Sequence, residues 1–159
     1  MPLVRRVDLQ AHPALRRRLT ARAAGYGARF ARLIHPRACI GARVLLGDGA
    51  LVQAGCVVTT GVRVGAHVHL NVGATVSHDC ALEDYATLAP GVHAAGGAKF
   101  GEGCDVGVGA SVLPGRRVGA WSIVGGGALV DHDVPAATVV AGVPARVLRD
   151  LAADWHLAG

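Results

Sequence analysis

An apolar side chain returns on every sixth residue from Ile40 to Val130, without one insertion or deletion. The series opens with Ile40, Leu46, Val52, Val58 and Val64, and it closes with Val112, Val118, Val124 and Val130. Two residues before each of these, a second register holds small side chains, among them Ala50, Cys56, Ala74, Cys80, Ala86, Ala98, Cys104 and Ala110. Only Arg116 and Ser122 disturb it. Glycine follows the apolar residue at 41, 47, 65, 101, 107, 119 and 125, which reads as a tight corner suited to a residue without a Cβ.

A period of six matches neither the 3.6 of an amphipathic helix nor the 2 of an alternating strand. It matches a hexapeptide-repeat parallel β-helix: each hexad is a short strand plus a turn, three hexads close a triangular coil, and the next coil stacks about 4.8 Å above. Residues 18 apart are therefore vertical neighbours. The fold class expected is all-β, a left-handed parallel β-helix, which is an exception to the right-handed crossover rule. It occupies about five coils, within residues 36–144.

The flanks read differently. Residues 1–35 carry a helix over Pro13–Ala24, with Leu15, Leu19 and Ala23 on one face, and then a run from Arg29 to Ile34 that alternates toward a strand. This helix is placed as a cap on the first coil, whose open edge needs cover. Residues 145–159 are read as a C-terminal helix, Arg146 to Trp155, packed back on the solenoid or on a neighbouring subunit.

Composition narrows the function. At 159 residues the chain holds one domain with a real core. Hydrophobic residues at 52% with only 4% aromatics suit a narrow prism filled by Val, Ala and Leu. The net charge of +5 comes mostly from arginine, including Arg5, Arg6, Arg16, Arg17, Arg18 and Arg22 early and Arg116, Arg117, Arg146 and Arg149 late. Nucleic-acid binding would want these interleaved with aromatics or set on a recognition helix, and they are neither. Most are surface charges, with one or two of the later group left for the phosphates of an anionic ligand. Cys56, Cys80 and Cys104 are spaced by 24, so they fall on different sides of the prism and cannot pair. With no secretory signal or apolar run of membrane length, a cytoplasmic location is expected.

The 18-residue spacing singles out His78. Thr60 lies directly beneath it and Gly96 directly above, so a cleft stays open beside the imidazole and a backbone N–H can face it. Asp79 follows in sequence. A column from Asn71 through Ala89 and Gly107 to Gly125 forms a groove of small residues, long enough for an extended ligand. The plainer reading of His78 is a solvated turn residue. His67, His69 and His93 read better as exposed or interface positions. Cys80 points inward, which speaks against a covalent route through its thiol.

The segments Leu33-Ile34-His35-Pro36, Asn71 to Cys80, Ser111-Val112-Leu113-Pro114, Gly125-Gly126-Gly127 and Ala141-Gly142-Val143-Pro144-Ala145 make the chain resemble the hexapeptide acyltransferases. Within them it resembles the group of sialic acid O-acetyltransferases and UDP-amino-sugar N-acetyltransferases. That resemblance implies acetyl-coenzyme A as cosubstrate, no metal, a sugar or nucleotide-sugar acceptor, and a homotrimer with sites between subunits. It makes His78 the general base, Asp79 the acidic neighbour that raises its basicity, and Gly96 a backbone amide near the acetyl carbonyl. Val108, Gly126 and Gly142 become cofactor contacts, and Thr87 takes a cofactor position where the family has a histidine. Residues 1–35 match only the last helix and strand of the Rossmann-like subdomain that holds the nucleotide-sugar in that family.

Two other functions fit the fold. A zinc hydratase of the γ-carbonic-anhydrase kind needs three histidines converging on one metal, and the 18-residue geometry makes His67 and His69 diverge from His78. A scaffold that binds no acetyl-coenzyme A is the other.

Overall fold

The computed structural model describes residues 12–152 and 154–157. Arg5 and Arg6, and the first eleven residues of the 1–35 segment, lie outside the described residues, as do positions 153, 158 and 159 at the other end.

Two-residue strands recur every six residues, from β1 (Leu33–Ile34), β2 (Cys39–Ile40) and β3 (Leu45–Leu46) up to β16 (Ile123–Val124) and β17 (Leu129–Val130). Strands 18 residues apart pair in parallel, Leu33 with Leu51, Cys39 with Val57 and Leu45 with Arg63. The result is a three-sided prism whose sheets hold eight, six and five strands. Six strands on the second side, β2 to β17, mark six coils, one more than expected, and β1 on the first side already lies inside the segment assigned to the cap.

Both sequence registers point inward. The second residue of each strand and the small residue two before it are buried from Ala50 to Val130, with Val52, Leu70, Leu88 and Val106 fully so. Each large apolar side chain buried in this way contributes about 1.5–3 kcal/mol. Ile40 and Leu46, with no coil beneath them, are only half-buried. Of the two exceptions, Ser122 is buried with its hydroxyl donating to the Gly119 carbonyl, and Arg116 leans out toward Asp133. Cys56, Cys80 and Cys104 are buried and free, as the 24-residue spacing requires.

The glycine after each apolar residue answers to close approach rather than to backbone conformation. A Cβ on Gly41 would stand 2.2 Å from the Thr59 carbonyl oxygen in the coil above. The left-handed conformation falls two residues later, where glycine predominates and Arg43, His67, Asp79, Tyr85 and Trp121 are the exceptions, with Ala137 in the last coil. His67, Tyr85 and Trp121 share one corner, and there they anchor the flanking segments. Phe30 meets the His67 ring edge-on at 4.6 Å, Arg17 lies 5.4 Å over Trp121, and His156 stacks on Trp121 at 4.1 Å.

The helix α1 (Pro13–Gly25) forms as expected but docks elsewhere and by another face. Its buried residues are Pro13, Arg16 and Thr20, while Leu15 and Leu19 are only half-buried. It packs against the side of the prism, not its open end. Arg16 donates to the Tyr85 carbonyl, to Thr87 Oγ1 at 2.9 Å, and lies 3.1 Å from His69 Nδ1. Burial lowers the Arg16 pKa to about 10, which leaves it cationic at neutral pH. Burial, and then the Arg16 charge, hold His69 down at about 3.

Acid therefore works against this docking. An unfolded His69 takes up a proton below pH 6.5 and the folded one not until about pH 3, so its contribution is present above 6.5 and is lost as pH falls below it. The loss is roughly 1.4 kcal/mol per pH unit at most. Thermal unfolding between about pH 7.5 and 5 should show a steeper fall in Tm for the native chain than for His69→Gln; equal slopes would contradict the linkage.

The C-terminal helix is not found. Arg146–Asp150 is a strand, β19, that pairs antiparallel with β18 (Thr138–Ala141), Thr138 opposite Asp150 and Ala141 opposite Arg146. The last coil leaves a row of unpaired backbone groups, and this strand satisfies them while presenting charged Arg146, Arg149 and Asp150 at the new edge. That demand outweighs the helical spacing of the sequence. Among the described residues no helix is long and apolar enough to cross a membrane.

Candidate active site

His78 sits at the middle of a corner, in the turn Ser77–Asp79 between the strands Thr75–Val76 and Ala81–Leu82. Neighbouring coils fix that turn. Asp79 N donates to the Thr60 carbonyl at 3.1 Å below, and the His78 carbonyl accepts Gly97 N at 2.8 Å above. Asp79 takes the left-handed slot with φ 59°, a conformation that aspartate tolerates better than most side chains. Its carboxylate is thereby brought back onto its neighbour, with Oδ2 2.9 Å from His78 Nδ1.

A carboxylate only accepts, so Nδ1 carries the hydrogen and the lone pair lies on Nε2. That nitrogen is set against bare backbone: a Cβ built on Gly96 would stand 2.4 Å from Nε2. Below, Asp79 Oδ1 leans over Gly61, where a Cβ would be 2.7 Å away. Glycine above and glycine below leave the pair room on a corner that is otherwise tightly stacked. Both side chains are open to solvent, so the ion-pair energy itself is small. What the contact supplies is a fixed tautomer and ring orientation.

The remaining expected residues divide into two groups. Val108 and Gly126 lie one above the other on the next corner, where Gly127 N donates to the Val108 carbonyl at 2.8 Å. Gly142 joins them at the top, its carbonyl accepting Leu129 N at 3.0 Å. Within one chain these are not brought to His78: a whole prism face of six residues, about 20 Å at most, lies between the corners. His93 stands on that face, held by Thr75 Oγ1 at 2.9 Å. Thr87 is on another side altogether, buried beneath α1 and committed to Arg16, so the cofactor position expected for it is closed by the protein's own helix.

Arg43 is the residue that sequence reasoning passed over. It occupies the left-handed slot two coils beneath Asp79, with φ 57°, and its Nη2 donates to Thr60 Oγ1 at 3.3 Å, directly under His78. The signal was present in the 18-residue column, where 61, 97 and 115 are glycine and 43 is not.

Two concavities lie away from this corner. One of about 420 Å³ is lined by Leu45, Arg63, Glu83, Asp84 and Glu102, and one of about 500 Å³ by Arg32–Pro36, Leu51–Ala54 and Val72. His78 lines neither of them and stays open to solvent. His67 and His69 are buried on other sides of the prism, and among the described residues no three His, Cys, Asp or Glu side chains gather as a metal site.

No protein-family model matches the chain, and no curated protein matches it significantly. Solved structures do. The acetyltransferase domain of PglB from Neisseria gonorrhoeae FA1090 is 36% identical with a TM-score of 0.84, over 86% of this chain and 67% of that one. PerB from Caulobacter crescentus, in complex with CoA and GDP-perosamine, is 38% identical with a TM-score of 0.85, over 87% and 67%. WeeI from Acinetobacter baumannii AYE is 30% identical with a TM-score of 0.84, over 87% and 68%. The chain spans about two thirds of the length of these proteins.

Proposed function

The chain belongs to the hexapeptide-repeat sugar acetyltransferases, and from that premise we propose that it moves the acetyl group of acetyl-coenzyme A onto an amine of a nucleotide-linked amino sugar. The observation that carries this reading is the orientation of His78, with Nδ1–H given to Asp79 and the Nε2 lone pair lying over the bare backbone of Gly96.

That arrangement suits direct transfer. As the acceptor nitrogen attacks the thioester carbonyl, the carbon–nitrogen bond forms and His78 Nε2 takes the amine proton. Asp79 stabilises the imidazolium. The carbon–sulfur bond then breaks, and the imidazolium returns its proton to the departing thiolate. Gly96 N–H donates to no described residue, which leaves it available to the oxygen that gains charge on the way. Cys80 offers no nucleophile, since it is buried and burial raises its pKa.

The assembly we infer is a homotrimer. Val108, Gly126 and Gly142 stand one corner away from His78, and a second prism packed against the first sets one chain's His78 beside its neighbour's glycine corner. The pantetheine arm would run between them. An acetyl-coenzyme A-dependent reaction of this kind fits a cytoplasmic enzyme.

The test is a panel of nucleotide-linked amino sugars, plain amino sugars and amino acids, incubated with acetyl-coenzyme A and read by mass. Addition of one acetyl group to a nucleotide-linked amino sugar is expected, from a preparation whose light scattering gives the mass of three chains. Transfer to none of them, or only to amino acids, would overturn the reading.

A further inference from the structure

We propose that Arg43 is the acceptor's phosphate-binding residue, and that it makes the corner below His78 selective for a sugar carrying a phosphate or diphosphate. This rests on the acetyl-transfer reading above and extends it to the side of the trench that reading leaves unassigned.

The trench has two directions from His78. Upward it passes the bare backbone of Gly96, Gly97 and Gly115 before reaching Arg116 and Arg146, whose charges are answered by Asp133 and Asp131. Downward it ends on a cation. Arg43 is exposed and makes no ion pair with any described residue. Other arginines nearby are answered by carboxylates: Arg32 lies 3.8 Å from Asp48, and Arg63 shares its groove with Glu83 and Asp84. Arg43 has only the hydroxyl of Thr60.

That contact orients it. Thr60 Oγ1 donates to the Ala42 carbonyl at 3.0 Å and accepts from Arg43 Nη2, so the guanidinium is turned up the corner toward His78. One donor is used and the rest of the planar fork stays open, the geometry that takes a phosphate oxygen pair. The Thr60 backbone is one coil, about 4.8 Å, beneath that of His78, whose ring lies over Gly96 in the coil above. Nε2 at the level of Gly96 and the guanidinium at the level of Thr60 are about two coils apart, a span that an amino-sugar ring together with its anomeric phosphate covers. The left-handed slot contributes as well: an arginine there, where the column otherwise holds glycine or Asp79, projects from the corner instead of lying along a face.

The experiment compares the native chain with Arg43→Gln and Arg43→Lys on a nucleotide-linked amino sugar with a free amine and on the same amino sugar without phosphate. Arg43→Gln should cut the kcat/KM ratio between the two by about tenfold or more, the factor lost with one charge-assisted hydrogen bond, and Arg43→Lys should recover part of it. An unchanged ratio would overturn the proposal. Calorimetry with UDP and GDP, at saturating CoA so that the cosubstrate's phosphate contacts are filled, gives a readout independent of turnover. Binding that weakens by about tenfold in Arg43→Gln supports the assignment even if no acetyl transfer is seen, in which case the acetyl-transfer reading falls alone. Transfer with no nucleoside diphosphate binding, or with binding indifferent to Arg43, sinks this proposal and leaves the transferase reading standing.

Discussion

His78→Ala is expected to lower kcat for acetyl transfer by about 10²–10⁴-fold, with the fold and the affinity for acetyl-coenzyme A close to native. The size of the effect follows from what the substitution removes. An amine attacking a thioester must lose a proton, and the base set against the open backbone of Gly96 is Nε2 of this imidazole. Asp79 cannot take over from where it stands. Its Oδ2 is turned to Nδ1 on the far side of the ring and its Oδ1 leans down over Gly61, away from Gly96. Stability is spared because the side chain is largely exposed and the turn is held by backbone hydrogen bonds from Thr60 and Gly97. Steady-state rates together with calorimetry check both halves. Native turnover in the variant would remove the base assignment.

Gly96→Ala should be nearly as damaging to turnover, about 10²-fold, while changing Tm little. A Cβ there would lie 2.4 Å from Nε2 and 2.6 Å from Cε1 of His78, distances that no real contact tolerates. Something has to move, and the exposed imidazole is the part that can swing away. Rotation carries Nε2 off its line with the thioester and breaks the Asp79 contact, so kcat falls. The conformation of Gly96 is ordinary, which keeps the backbone free of strain on substitution. Rates and thermal unfolding of the same preparation decide it: a normal rate would mean that the trench over Gly96 is not where acetyl passes, and a collapsed Tm would mean that this glycine serves the fold.

Much of this was readable in the sequence because a solenoid is nearly one-dimensional. With a period of six and a coil of 18, contacts between neighbours reduce to counting, and the counting put Thr60, His78 and Gly96 in one column. The pairings Val57 with Thr75 and Thr75 with His93 follow the same rule. The sequence misled where side chains leave the repeat. The docking of α1 through Arg16 has no periodic signature: it depends on His69 and Thr87 facing outward on adjacent coils, and on a cation filling the gap over them. Thr87 was lost to the site for that reason. The C-terminal segment has helical spacing, yet it pairs as a strand because the last coil offers unpaired backbone. Arg43 was legible only as an exception among glycines, and its bond to Thr60 needed coordinates.

Direct acetyl transfer through His78 is best tested by a quenched single turnover, with acetyl-coenzyme A prebound to the native chain and to His78→Ala before excess amino-sugar acceptor is added. The native chain should pass its acetyl group to the acceptor with no acetylated protein at any time point, and the variant should retain acetyl-coenzyme A intact. Acetyl appearing on the protein, or transfer by the variant at the native rate, would contradict it.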